Sequence, residues 1–242
     1  MIDINNKKFN FYDPVTIVDD DKEYLIFGET LYILSEKYIP SRENKMVMNQ
    51  FENLVINHNK IEEKYKNSEK IYTGFEYLVT TDLVEKLEKN QNELSLLSSN
   101  FILLDINHNN NYKLVREILE QILALRMIPI ISHPERFLIL NEDIIFELKD
   151  QGVLFQLSLG SFSSFFGEKI EKKSRVFLER GIYDFIATDS INYDQMDNSF
   201  IENKIECISK IIGTQKLNEI FLENPKNVTD QKSSNDFQIS RH

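Results

Sequence analysis

At 242 residues, with 41% hydrophobic and 28% charged residues, the chain can bury one large core, and α/β barrels of this length are commonly one domain. Its formal net charge of −11 argues against a nucleic-acid surface or an anionic membrane as partner. No apolar run approaches the roughly 18 residues of a spanning helix, and the N-terminus lacks a basic-then-apolar signal sequence. The single cysteine, Cys207, has no internal disulfide partner, which suits a reducing cytoplasm. It also lacks the Cys-x5-Arg spacing of thiol-type phosphatases, because position 213 is glycine.

In chain order, residues 1–7 read as a strand in which Ile2 and Ile4 alternate with polar positions. Residues 13–21 are acidic, carry Pro14 and read as a loop; Asp20 or Asp21 leads into a helix over about 24–36. Residues 38–42 form a short second strand and the start of its loop. Over 45–65, Phe51, Leu54, Val55, His58 and Ile61 recur at helical spacing, which makes His58 a packed residue rather than a catalytic one. Residues 71–77 read as a third strand with Glu76 near its end, and Asp82 is placed to cap a helix over 83–89.

Residues 101–105 form a buried strand ending in Asp105, and His108 falls in an asparagine-rich loop. Leu114, Ile118, Ile122 and Leu125 mark an amphipathic helix over 112–126. It feeds the apolar run 128–131, which ends in Ser132-His133-Pro134-Glu135-Arg136-Phe137. A helix over 142–150 stops at Gly152, a strand covers 153–158, a helix over 168–180 stops at Gly181, and a strand over 182–188 runs into Asp189. Two short helices fill 201–222. The expected division is a domain over 1–225 and a polar, disordered tail over 226–242. Alternating strands and helices argue for a parallel sheet, closed as a distorted barrel or open and doubly wound. The lack of a Gly-rich turn after the first strand counts against nucleotide-binding forms of the open sheet.

Glu76, Asp105, His133 and Asp189 stand at the expected carboxyl ends of four strands, which converge on one face of a barrel. Crowded carboxylates repel one another unless a hard cation lies between them. Oxygen donors with one imidazole suit manganese, magnesium or zinc. Arg136, three residues after His133, has the two-pronged geometry that takes a phosphate or a carboxylate. Any one of these acids alone is more often a helix cap or an ion-pair partner.

The stretches Gly74-Phe75-Glu76-Tyr77-Leu78, 101–105, 128–137 with its His-Pro-Glu-Arg, 154–157 and 181–189 together resemble the manganese-dependent tyrosine phosphatases of the PHP (polymerase and histidinol phosphatase) superfamily, found in bacterial capsule and exopolysaccharide loci. The resemblance covers about residues 1–225. It implies a single-domain, distorted (β/α)7 TIM-like barrel of the metal-dependent hydrolase type, with up to three metals at its carboxyl end. Those metals would generate a hydroxide that attacks phosphotyrosine. The family's substrate is the tyrosine-rich tail of a bacterial tyrosine kinase that controls polysaccharide polymerisation and export.

Carried over residue by residue, the resemblance leaves Glu76, Asp105, His133 and Asp189 as metal ligands and Arg136 as the phosphate holder, with Asp189 also in a catalytic place. The family's opening Asp-x-His-x-His reads Asp3-Ile4-Asn5-Asn6-Lys7, its Thr-Pro-His reads Ile39-Pro40-Ser41, and its last Asp-x-His reads Asp189-Ser190-Ile191. Asn5, Lys7, Ser41 and Ile191 therefore stand at lost ligand positions, Asp105 is shorter than the family's glutamate, and the arginine after the last motif has no counterpart in 192–196. Lys7 either neutralises Glu76 and Asp189 in place of a metal or points to solvent.

Three readings follow. In the first, the phosphatase is degenerate, weak or inactive, and acts by binding a phosphotyrosine protein or kinase tail. In the second, a reduced site holding one or two ions, manganese or another divalent metal, still hydrolyses phosphotyrosine. The third is a ligand-free scaffold, against which the retention of His133 and Arg136 speaks.

Overall fold

The computed structural model describes residues 11–14, 32–38, 71–96, 99–106, 110–187 and 198–230. Seven parallel strands pair in chain order: β1 (Phe11–Pro14), β2 (Tyr32–Tyr38), β3 (Ile71–Leu78), β4 (Phe101–Asp105), β5 (Ile128–Ser132), β6 (Leu154–Ser158) and β7 (Phe185–Ala187). Helices α1 (Leu83–Leu94), α2 (Tyr112–Ala124), α3 (Glu142–Asp150) and α4 (Glu168–Glu179) join the later strands. Helices α5 (Asn198–Asn218) and α6 (Asn224–Asp230) close the chain, joined by a π-helical turn over Glu219–Glu223. The first and last strands, β1 and β7, approach each other. No ladder joins them among the described residues, so the observed architecture is an α/β domain on a parallel sheet.

Strand register assigns the two faces. Glu76 pairs with Leu103, Leu103 with Ile130, Ser132 with Gln156 and Ser158 with Ala187, and side chains two apart share a face. One face therefore carries Phe101, Leu103, Ile130, Leu154, Phe185 and Ala187, which pack as a small apolar cluster with Leu96 and with Val228 of α6. Toward the carboxyl ends the same face turns polar, with Glu76, Asp105, Ser132, Gln156 and Ser158, all buried. The other face, with Tyr77, Ile102, Leu104, Ile131, Phe155, Leu157 and Ile186, packs against the apolar stripes of α2, α3 and α4 to make the main core. Each side chain fully buried there contributes about 1.5–3 kcal/mol. Because both faces are covered, the strands read in sequence as unbroken apolar runs.

Asn111 and Asn141 cap α2 and α3 by accepting from Leu114 N (2.9 Å) and Ile144 N (3.0 Å). Helices α3 and α4 end at Gly152 and Gly181, both with positive φ, as expected.

Several expectations are corrected. Residues 32–36 are strand rather than helix, and β2 ends at Tyr38, where a strand was expected to begin. Residues 13–14 belong to β1 rather than to a loop. Asp82 makes no side-chain cap; its carboxylate lies 3.4 Å from Lys86 instead, and α1 runs on to Leu94 past a distorted Asn90. The strand expected over 182–188 forms over Phe185–Ala187. Instead of two short helices, residues 201–218 belong to one helix broken at Gly213, and Glu219–Glu223 form the π turn that follows it. Residues 226–230, placed in the tail by their polarity, are helical, because Val228 is fully buried in the apolar cluster of the inner face. The first strand over 1–7 and the helix over 45–65 with His58 lie outside the described residues, as do His108 and residues 231–242.

Candidate metal centre and anion pocket

The site grows from the polar upper layer of the inner face. Parallel strands place Glu76 on β3, Asp105 at the end of β4 and Ser132 at the end of β5 on one side of the sheet. Immediately after β5, His133 takes the left-handed conformation (φ 35°, ψ 54°), a rare state for a residue with a side chain and one that clusters at functional sites. Pro134 follows in a short turn of 3-10 helix (Pro134–Arg136). This turn brings His133 Nε2 to 3.4 Å from Glu76 Oε1 and 3.9 Å from Asp105 Oδ1. Phe137 flanks the imidazole, its ring centroid 5.4 Å away.

Glu76, Asp105 and His133 are all buried and each offers one donor atom within 4.8 Å of the others. Donor atoms sharing one ion at about 2.0–2.2 Å lie up to roughly 4.4 Å apart, so this spacing suits a shared ion after small rotamer changes. Two oxygens and a nitrogen are a donor set for a divalent metal of the manganese, magnesium or zinc kind. The residues fit such an ion. Ser132 supports them by donating its hydroxyl to Glu76 Oε1, with Leu104 O at 3.0 Å and His133 Nε2 at 3.3 Å. His133 Nδ1 and Gln156 Oε1 are buried in this layer and have no hydrogen-bond partner among the described residues. The other expected site residue, Asp189, and the substituted positions Asn5, Lys7, Ser41 and Ile191 lie outside the described residues.

Arg136 is held beside this layer at the same carboxyl edge of the sheet. Its Nε donates to Ser161 Oγ (2.8 Å) and its Nη2 to Ser158 Oγ (2.6 Å). The guanidinium carbon sits 3.7 Å from the centre of the Phe166 ring, a cation–π contact that fixes its plane. Beneath it Glu135 is buried, its carboxylate accepting from Tyr183 Oη (3.0 Å) and Ser158 N (3.4 Å). Burial raises the Glu135 carboxyl, against the opposing pull of the Arg136 and His133 charges. Burial and the neighbouring Glu135 carboxylate push the Tyr183 phenol well above its ordinary value. Nearby, burial lowers the Lys173 amine to about 8; it donates to Phe137 O (2.6 Å).

Three of the four expected ligands are thus brought together, with Arg136 at the same edge of the sheet. Sequence reasoning missed Ser132, Glu135, Gln156, Ser158 and Ser161. One signal was present: polar Gln156 and Ser158 alternate with Phe155 and Leu157 inside an otherwise apolar strand, the period-2 mark of side chains facing a polar interior.

A parallel-sheet α/β domain with a carboxylate–histidine cluster at its carboxyl edge is the class of protein that fold and site define. The family model for capsular polysaccharide synthesis proteins, CpsB/CapC, matches residues 30–230, and the chain belongs to that family. The tyrosine-protein phosphatase CpsB of Streptococcus pneumoniae is 33% identical over 162 residues, 64% of this chain and 66% of that relative. The putative tyrosine-protein phosphatase CapC of Staphylococcus aureus is 27% identical over 232 residues, 92% of this chain and 86% of the relative. A solved structure, from work on YwqE of Bacillus subtilis and CpsB of Streptococcus pneumoniae as unique metal-dependent tyrosine phosphatases, superposes with a TM-score of 0.67 at 20% identity. It covers 83% of this chain and 80% of its own, and the likeness is one of fold.

Proposed function

We propose that this chain is a capsule-type protein-tyrosine-phosphatase homologue with a reduced metal site, which binds a phosphotyrosine-containing protein and hydrolyses it weakly or not at all. The observation that carries this reading is the gathering of Glu76, Asp105 and His133 within 4.8 Å, in a chain where Asn5, Lys7, Ser41 and Ile191 replace the ligands of the family motifs. One metal position is supported by these side chains, with Asp189 as a further ligand from the strand-end motif. A several-metal cluster is not supported, since even changes to residues that only orient ligands typically cost about 10–100-fold in affinity.

A divalent ion, manganese or another, would supply an activated water and charge neutralisation at the phosphate. The chain's own residues do the rest. Glu76 and Asp105 hold the cation's place, Ser132 fixes the Glu76 carboxylate, and Arg136 is presented for the phosphate by two serine hydroxyls. The partner in this reading is the phosphorylated tail of a bacterial tyrosine kinase in a capsule or exopolysaccharide system, met in the cytoplasm. The barrel reading, a distorted (β/α)7 cylinder, is supported by seven parallel strands in chain order with β1 and β7 drawn together. No described helix is long and apolar enough to cross a membrane.

The second reading, a working phosphatase with one or two ions, is favoured by the same three donors. Metal content after incubation with manganese, with turnover of a phosphotyrosine peptide, decides between the two. Substoichiometric metal and turnover no higher than in Asp189→Ala are expected. Stoichiometric metal with brisk turnover abolished in Asp189→Ala would establish the second reading. A peptide that binds wild type no better than Arg136→Ala would overturn the binding role.

A further inference from the structure

The loop between β6 and α4, residues 159–167, carries three phenylalanines in nine residues, and the structure gives two of them no core to enter. Phe162 is fully buried, whereas Phe165 is 46% exposed and Phe166 37% exposed. The loop is well tied down at other points. Ser163 donates to Gly160 O (2.6 Å), Ser161 N donates a turn bond to Ser158 O (3.0 Å), and Ser174 on α4 donates to Ser161 O (3.3 Å). Two large aromatic side chains held at the surface by an ordered loop call for a reason, because leaving them in water forgoes burial energy.

Their position relative to Arg136 supplies one. Phe166 lies 3.7 Å under the guanidinium, and Ser161 of the same loop accepts from Arg136 Nε. Phe165 stacks on Phe200 of α5, with ring centroids 5.2 Å apart and planes 13° from parallel. Lys204, one turn further along α5, places its ammonium 5.4 Å from the Phe200 ring centre. A positively charged, planar group thus adjoins an aromatic surface at the carboxyl edge of the sheet, in a protein whose net charge is −11. That pairing complements a ligand that is an anion at one end and an aromatic ring beside it.

We propose that residues 159–167 form a specificity element for aryl phosphates: Ser161 and Phe166 fix Arg136 for the phosphate, and Phe165, braced by Phe200, packs against the aryl ring. The proposal rests on the phosphotyrosine reading above and adds the residues that select a tyrosyl over a seryl ester. Phe165 is a binding residue here, and Phe166 and Ser161 are positioning residues for Arg136.

The test measures binding of phenyl phosphate, inorganic phosphate, and matched phosphotyrosine and phosphoserine peptides to the full chain by calorimetry. Wild type is compared with Phe165→Ala, Phe165→Leu and Arg136→Ala. The expected result is about a tenfold loss of phenyl phosphate and phosphotyrosine affinity in Phe165→Ala, with inorganic phosphate unchanged, the size of one aromatic contact. Phe165→Leu recovers part of the loss, and Arg136→Ala weakens all phosphate ligands together. Unchanged melting of the Phe165 variants verifies the fold. If wild type binds phosphate but does not prefer the aryl ester, or if Phe165→Ala weakens every ligand equally, the specificity element is overturned while the anion site stands. If wild type binds none of the four probes, the phosphotyrosine reading and this inference fall together.

Discussion

Ser132 donates its single hydroxyl hydrogen to Glu76, joining two strands that lie 56 residues apart in sequence and pinning the carboxylate that faces His133. A hydrogen bond to a buried charged group contributes about 1.5–3 kcal/mol. On the proposed metal-binding reading, Ser132→Ala should lower whatever affinity the cluster has for a divalent ion by about 10–100-fold, the usual cost of losing a residue that orients a ligand. Calorimetric titration with manganese reads this directly, and an affinity equal to wild type would show that Glu76 needs no such support.

Away from the site, the half-buried Lys149 forms an ion pair with the buried Asp184. The Lys149 ammonium lies 2.8 and 3.0 Å from the two carboxylate oxygens and also donates to Ile182 O (2.6 Å), while Asp184 accepts from Phe155 N (3.0 Å). Lys149→Met should cost about 3 kcal/mol, because it strands a buried carboxylate. The double variant with Asp184→Asn should recover part of that loss, since asparagine can still accept from Phe155 N. Urea unfolding of the two single variants and the double variant completes the cycle.

Lys173 gives a pH signature. Its amine is lowered to about 8 by burial, against an unfolded value near 10.5. Between those values the unfolded chain holds more protons than the folded one, so this residue makes stability rise with pH. Below about 8 both states are charged and the folded state carries the full burial cost. The stability of wild type minus that of Lys173→Met should therefore increase from pH 8 to 10, as measured by urea midpoints. A flat difference would place the amine in water.

Gly213 interrupts α5 with φ 79° and ψ 159°, a region that only glycine enters without strain. A methyl group there would meet nothing within 4 Å, so the cost of Gly213→Ala is backbone strain alone, about 1–3 kcal/mol. Thermal melting checks it, and an unchanged midpoint would mean that α5 can straighten through this residue.

Gln156 is buried, and its carbonyl oxygen has no partner among the described residues. Removing an unsatisfied acceptor with little change in shape is neutral or stabilising. Gln156→Met should melt at or above the wild-type temperature. A marked loss of stability would show that the oxygen has a partner in the folded chain.

Local chemistry and periodicity made much of this protein legible from its residues alone. Helices α2, α3 and α4 announced themselves through apolar repeats and terminal glycines, and β3 to β6 through short apolar runs, because those signals act within a few residues. The same runs placed Glu76, Asp105 and His133 at strand ends, where a parallel sheet must gather them. Residues 32–36 read as the end of a helix running on from about residue 24, and the polar composition of 226–230 reads as a tail. Strand pairing with β3 decides the first, and burial of Val228 against the inner face decides the second. Tertiary structure alone decided that Ser158 and Ser161, 22 and 25 residues beyond Arg136, would hold its guanidinium, and that Phe166 would lie beneath it. No local pattern encodes such contacts, since they exist only once β5 and β6 pair and the loop after β6 folds back over the turn that follows β5.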